Sequence, residues 1–187
     1  FNTNDNTAMI GKATAIALAK KPYRRYFITG EDYEFGHACA DAVWKNLKAL
    51  KPDVQLIGQS WRKVGEADVV PYLTAVLQEK PDFVIHASGG SGVVNLLKTI
   101  KSTGFAQKVP SYQHNSTELA ALAPLGMEAP EGIMGTSNYH YYFPATAENK
   151  AFVAKFRKNY KRYPRSTALY GYIAGHFIAK AYEKAKS

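Results

Sequence analysis

Residues 82–104, DFVIHASGGSGVVNLLKTIKSTG, decide the fold. Asp82–Ser88 is a short apolar run of strand length, apolar enough to lie at the centre of a sheet. Gly89-Gly90-Ser91-Gly92 then opens a segment of helical pattern that runs to about Thr103. Gly104 ends it, as a C-terminal glycine commonly does. A central strand, a glycine turn and a helix make one β–α unit.

The same alternation extends in both directions. Upstream, residues 7–20 predict a helix with an Ala-rich face, and residues 23–29 a strand. Phe35, Cys39, Val43, Leu47 and Leu50 recur at helical spacing and predict a helix over 35–50. Residues 53–61 predict a second strand. Val69, Leu73, Val76 and Leu77 share one face of a helix over 66–79. Downstream, residues 109–114 predict a fourth strand. Ser116 and Thr117 are N-cap candidates for a short helix through about Leu122. Gly132–Asn138 predicts a fifth strand. Repeated strand–helix alternation implies right-handed βαβ units. The expected fold class is α/β: a doubly wound, open, Rossmann-like parallel sheet with helices on both faces.

The pattern changes after residue 140. Thr146–Tyr163 predicts one amphipathic helix, with Phe152, Phe156, Tyr160 and Tyr163 along one side and Pro164 as its stop. Residues 166–185 predict another, and no strand follows it. Two apolar helix faces without a further strand need a partner outside the five-strand unit. The expected organisation is therefore a lobe over 1–140 and a hinge with a helix pair over 141–187.

Composition narrows the classes. Of 187 residues, 46% are hydrophobic and 21% charged, which is ordinary globular usage. No apolar run approaches the roughly 20 residues that span a bilayer. Cys39 is the one cysteine, which excludes an internal disulfide framework and a cysteine metal site. Its place on the apolar helix face predicts a small buried hydrophobe. The opening at Phe1 fits a mature secreted chain or an excised fragment. The net charge of +9 is uneven: residues 1–144 carry +1 and residues 145–187 carry +8. The body thus lacks the basic stripe of a nucleic-acid reader, and the basic tail reads as solvated helix faces.

Ligands of open α/β sheets sit outside the carboxyl ends of the strands. Four loops are expected there: Gly30–Gly36, Ser88–Gly92, His114–Thr117 and Asn138–Phe143. They offer aromatic faces, hydroxyls, an amide, imidazoles and backbone N–H groups, an inventory that suits a small solute with an apolar body and a polar head. SGGSG lacks the Lys of a phosphate-binding P-loop and does not match GxGxxG. Ser91 lacks the second glycine of GxSxG, because Val93 stands there, so a hydrolase is a weak third reading. His37, His140 and His176 have no partner at metal-ligand spacing, and neither metal nor cofactor is expected. His86 falls mid-strand and reads as packed under a helix; His114, at a strand end, is the better site candidate.

The motifs and their order resemble those of branched-chain-amino-acid-type substrate-binding proteins of ABC transporters, the type I periplasmic binding proteins. Asp32-Tyr33-Glu34-Phe35-Gly36 is similar to the family's D-Y-x-[YF]-G turn after the first strand. ADVVPYL (67–73), KPDFVIHASGG (80–90), LLKTIKSTGF (96–105) and EGIMG (131–135) are similar to its later motifs, in order. The hinge run NYHYYFP (138–144), the Phe152/Phe156/Tyr160 helix, Pro164 and the Tyr172-x-Ala174 helix continue the resemblance to the end.

The resemblance implies a non-enzymatic, two-lobed receptor that closes over a solute and delivers it to a membrane permease. The chain corresponds to the second lobe plus helices crossing toward a first lobe. It further implies a periplasmic location, or a lipid-anchored extracellular one. Phe35 matches the aromatic that covers the ligand, with Tyr33 flanking the turn. Gly89 falls near a position often aromatic or hydroxyl-bearing, with Ser88 and Ser91 as substitutes. Asn115, or His114 beside it, falls where amino-acid binders place an acidic group, and Glu34 or Glu118 are the alternatives for pairing an amine. Tyr139 belongs to the hinge and cleft wall. The expected ligand is an amino acid or a small aromatic or aliphatic carboxylate. The alternative is a ligand-sensing domain of a receptor or transcriptional regulator with the same fold.

Overall fold

The computed structural model describes residues 4–185. Elements follow in the order α1 (Thr7–Ala19), β1 (Arg25–Glu31), α2 (Glu34–Leu50), β2 (Gln55–Arg62), α3 (Val70–Gln78), β3 (Phe83–Ala87), α4 (Gly90–Thr103), α5 (Phe105–Lys108), β4 (Ser111–Gln113), α6 (Leu119–Leu122), β5 (Ile133–Gly135), α7 (Ala147–Tyr160) and α8 (Ser166–Ala185). All five strands are parallel, in the order β2-β1-β3-β4-β5. The expected doubly wound α/β sheet is therefore present. Its winding reverses between β1 and β3, and the carboxyl ends of those two strands are where open α/β sheets in general take ligands.

Period-two alternation along the strands builds two cores. Tyr26, Ile28, Phe83, Ile85 and Tyr112 meet α1 and α2 through Leu18, Val43 and Leu47. Phe27 and Val84 meet α3 and α4 through Leu73, Val76, Leu96 and Ile100. Cys39, on α2, is buried as a free thiol. Burial pushes its pKa up to about 12, so it is an inert apolar filler. The helix ends obey local chemistry. Asn6 caps α1 by accepting from the Met9 N–H, Thr146 caps α7 by accepting from the Asn149 N–H, and Gly104 closes α4 in the left-handed region at φ +63°.

Several boundaries differ from the sequence expectation. β1 runs on to Glu31, because its ladder with β2 continues through the pair Glu31–Arg62. β4 is confined to Ser111–Gln113 by Pro110 before it and by the left-handed Asn115, φ +61°, after it. β5 is confined to Ile133–Gly135. α3 begins at Val70 rather than 66, where the Asp68 side chain accepts the Val70 N–H and Pro71 opens the first turn. α7 ends at the left-handed Lys161, before Pro164 is reached.

The chain forms two compact units. The first, Asn6–Thr117 with Ala121–Ser137, contains the sheet. The second comprises Glu118–Ala120, the chain from Asn138 onward and the described residues up to Asp5. Within that second unit the buried Glu118 carboxylate accepts from Ser166 Oγ at 2.5 Å and from the Asn138 N–H at 3.0 Å. Tyr170 donates to Asp5 at 2.9 Å. Phe152 packs on Tyr172 with ring centroids 4.6 Å apart. Tyr160, Ile173, Phe177, Ile178 and Tyr182 remain exposed.

Candidate functional site

The loop after β1 carries Asp32 and Tyr33, and α2 begins at Glu34. Tyr33 takes the N-cap position in extended backbone and supplies no side-chain cap, so its ring is free to lie along the loop. It meets Phe35 at 5.9 Å between centroids, and Phe35 meets the His114 ring at 5.7 Å. Three rings from the ends of β1 and β4 thus form a continuous wall. Gly89 makes it possible: a Cβ there would overlap the Tyr33 hydroxyl and crowd the Phe35 ring. Burial, and then the nearby Glu31 charge, raise the Tyr33 pKa, so the phenol stays neutral.

His114 is buried and held at Nδ1. Thr136 Oγ1 lies 3.2 Å away and Tyr112 Oη 3.5 Å away. Tyr112 Oη is itself 3.0 Å from Thr136 Oγ1 and accepts from Thr14 Oγ1 at 3.2 Å. This chain of hydroxyls fixes the imidazole plane against Phe35. Asn115 follows in left-handed backbone, a conformation that asparagine tolerates better than most residues. Its Oδ1 is buried and has no hydrogen-bond partner among the described residues.

The loop after β3 differs from expectation in one respect. Ser88 is buried, and its hydroxyl accepts from Arg62 Nη2 at 2.5 Å. It does not present that hydroxyl at the surface. Gly89 is half-buried, and Gly90 and Ser91 are exposed at the first turn of α4. In that turn the Gly92 N–H is accepted by the Gly89 carbonyl at 3.0 Å, while the Gly90 and Ser91 N–H groups have no carbonyl of their own helix to accept them. Tyr139 lies in the second unit, where its hydroxyl donates to Asn149 Oδ1 at 2.7 Å and its ring meets the edge of Phe152. The structure thus brings Tyr33, Phe35, Gly89 and His114 together within the sheet-bearing unit, with Ser91 and Asn115 on adjoining turns.

Sequence reasoning missed the polar layer beneath these loops. Glu31, Arg62, Ser88 and Gln113 are all buried at the carboxyl ends of four strands. The available signal was a charged residue closing each of two apolar strands. Burial lowers the Arg62 pKa and the Glu31 charge opposes that shift. No group of His, Cys, Asp and Glu side chains able to hold a metal ion occurs among the described residues. No described helix is long and apolar enough to cross a membrane.

An open parallel sheet of this order, with an aromatic wall beside its switch point, defines a doubly wound α/β unit. The chain belongs to the periplasmic binding protein family: the family model described as "Periplasmic binding protein" matches residues 1–187. Solved structures share its fold. A solute-binding protein of an ABC transporter from R. palustris, in complex with benzoate, superposes with a TM-score of 0.81 at 24% identity, covering 94% of this chain and 47% of that one. A solute-binding protein from Rhodopseudomonas palustris HaA2, in complex with p-hydroxybenzoic acid, gives 0.84 at 19% identity, covering 97% and 50%. A leucine-, isoleucine-, valine-, threonine- and alanine-binding protein from Brucella ovis gives 0.71 at 18% identity, covering 91% and 43%. This chain spans about half the length of these proteins. No curated protein matches its sequence.

Proposed function

We propose that this chain is the ligand-binding lobe of an extracytoplasmic solute-binding protein serving an ABC importer, and that its solute is a small aromatic or aliphatic carboxylate. The observation that carries the reading is the aromatic wall of Tyr33, Phe35 and His114 beside the Ser88–Gly92 loop, at the point where the sheet reverses. Phe35 covers the apolar body of the solute. The Gly90 and Ser91 N–H groups at the start of α4 receive its carboxylate. His114 and Asn115 border the same space, and Tyr139 belongs to the hinge.

An amino-acid solute fits this half of the cleft less well. Glu31, the buried carboxylate among the described residues of the sheet-bearing unit, is engaged by the Gly89 and Gly65 N–H groups. Asp32 and Glu34 are exposed, and Asp32 is paired with His37 at 2.8 Å. An ammonium beside this wall would find the Glu31 carboxylate already taken by the Gly89 and Gly65 N–H groups, and would have only the exposed Glu34 to pair with, where a solvent-screened pair contributes little. The solved relatives that hold benzoate and p-hydroxybenzoic acid are in keeping with this choice.

Binding acts by closure: a solute touching two lobes shifts an open–closed equilibrium that a permease reads. The test is thermal unfolding of the full-length protein with benzoate, 4-hydroxybenzoate and leucine. The aromatic acids are expected to stabilise it by about 1.4 kcal/mol at a tenfold excess over Kd. Stabilisation by leucine alone would overturn the solute class, and no shift from any carboxylate or amino acid would overturn the function.

The exposed apolar residues of α7 and α8 are proposed to pack on a first lobe of the same polypeptide. In the full-length protein the α8 amides around Phe177 and Tyr182 are then protected from hydrogen exchange, and in the 187-residue chain alone they exchange at least tenfold faster. Equal protection in both would refute that packing.

A further inference from the structure

Three strands converge on the loop that follows β3. Glu31, the last residue of β1 and 3% exposed, accepts from the Gly89 N–H through Oε2 at 3.1 Å and from the Gly65 N–H through Oε1 at 3.4 Å. Its cross-strand partner Arg62, the last residue of β2 and 2% exposed, donates to Ser88 Oγ. Gln113, the last residue of β4, accepts from the Ser88 N–H at 3.2 Å and donates to the Ser88 carbonyl at 2.9 Å. All three polar groups of Ser88 are thereby held, and Gly89 is held by its N–H. The Glu31 carboxylate also lies against Gly92, where a Cβ would overlap both of its oxygens.

Stability alone does not account for this arrangement. A buried pair of opposite charges can often be replaced by uncharged residues of similar volume without loss. Moreover, Arg62 Nε is buried without a partner among the described residues, which detracts from stability. What the charges do contribute is direction. A carboxylate accepting two backbone N–H groups fixes the loops after β2 and β3 to each other, and a planar guanidinium fixes the rotamer of Ser88.

We propose that Glu31 and Arg62, with Gln113, are positioning residues that hold Ser88 and Gly89 so that the Gly90 and Ser91 N–H groups of the same loop meet the solute. They act through the loop and touch no solute themselves. The inference rests on the solute-binding reading given above.

The test uses the full-length protein and the variants Glu31→Gln, Arg62→Met and the pair E31Q/R62M, which removes both charges together. Three quantities are measured: affinity for benzoate and 4-hydroxybenzoate by calorimetry, Tm, and hydrogen exchange at the Gly89, Gly90 and Ser91 amides. The double variant is expected to keep a Tm near that of the parent, lose at least tenfold in affinity, and exchange at Gly89 at least tenfold faster. A merely structural pair would move Tm and leave affinity in place. Parental affinity together with parental exchange at Gly89 overturns the proposal. If the double variant does not fold, Glu31→Gln, which keeps the side-chain shape, decides by the same readouts. If the parent protein itself binds neither acid, the solute reading fails, and exchange at Gly89–Ser91 alone decides whether Glu31 and Arg62 hold the loop.

Discussion

Acidification from neutral pH to about pH 3 is expected to remove about 4–5 kcal/mol of folding stability through His86 alone. His86 stands in the middle of β3, 1% exposed, with its ring edge-on to Phe105 at 5.6 Å between centroids. Neither ring nitrogen has a hydrogen-bond partner among the described residues. Burial pushes its pKa down to about 3, and the positive charge of Arg62 adds to the shift. In the unfolded chain the imidazole returns to its ordinary value of 6.5. Protons therefore bind the unfolded chain more readily than the folded one. The stability contributed by the neutral ring is complete above about pH 6.5, declines as pH falls below that value, and is gone by about pH 3. Urea titrations of the parent and of His86→Leu across that range measure it. The leucine variant removes an unpaired polar ring at similar volume, so its stability at neutral pH should lie within about 1.5 kcal/mol of the parent. Its acid dependence should be flatter by the amount stated. Parallel acid curves for the two proteins would sink the assignment.

The same residue shows how far a sequence can be read. That His86 is mid-strand and under a helix follows from the run DFVIHAS, because a strand and its flanking glycine turn are both written within a few residues. The β3–α4 unit, the five strands of a doubly wound sheet and the aromatic turn at Tyr33–Phe35 are legible for the same reason. The polar layer is not, because it depends on register. β1 and β2 are offset by a bulge between Tyr26 and Phe27, and only that shift brings Glu31 opposite Arg62, 31 positions along the chain. A strand ending at Thr29, as composition suggests, leaves Glu31 in the loop. The ladder carries it two residues further and turns its side chain into the layer beneath Gly89. Ser88 illustrates the converse. Its type and place both suggest a ligand-facing hydroxyl, and the hydroxyl is instead held by Arg62. The ends of β4 and β5 escape sequence reasoning too, because they are set by the backbone at Pro110, Asn115 and Gly132 rather than by hydrophobic pattern.

Replacing Phe35 by alanine is expected to weaken solute binding by about 100-fold, or about 2.7 kcal/mol. The ring is half-buried, wedged between Tyr33 and His114 and lying over Gly89, on the first turn of α2. The core contacts of α2 come from Cys39, Ala40, Val43 and Leu47 further along, so the alanine variant keeps its fold. Its loss is therefore felt in binding, and Tm in the absence of solute should change little. Two further substitutions separate shape from chemistry. Phe35→Tyr keeps the aromatic face and should bind benzoate within a few-fold of the parent, because the added hydroxyl projects from the ring edge. Phe35→Leu keeps apolar bulk without a flat face and should fall between the two, since an aromatic pair contributes about 0.5–1.5 kcal/mol beyond the area it buries. Calorimetry with benzoate on the full-length variants gives the order. If alanine binds as the parent does, Phe35 is a structural wedge between Tyr33 and His114, and the solute lies elsewhere. If leucine matches tyrosine, bulk alone is read at this position, and the preference for a flat solute has to come from the opposing lobe.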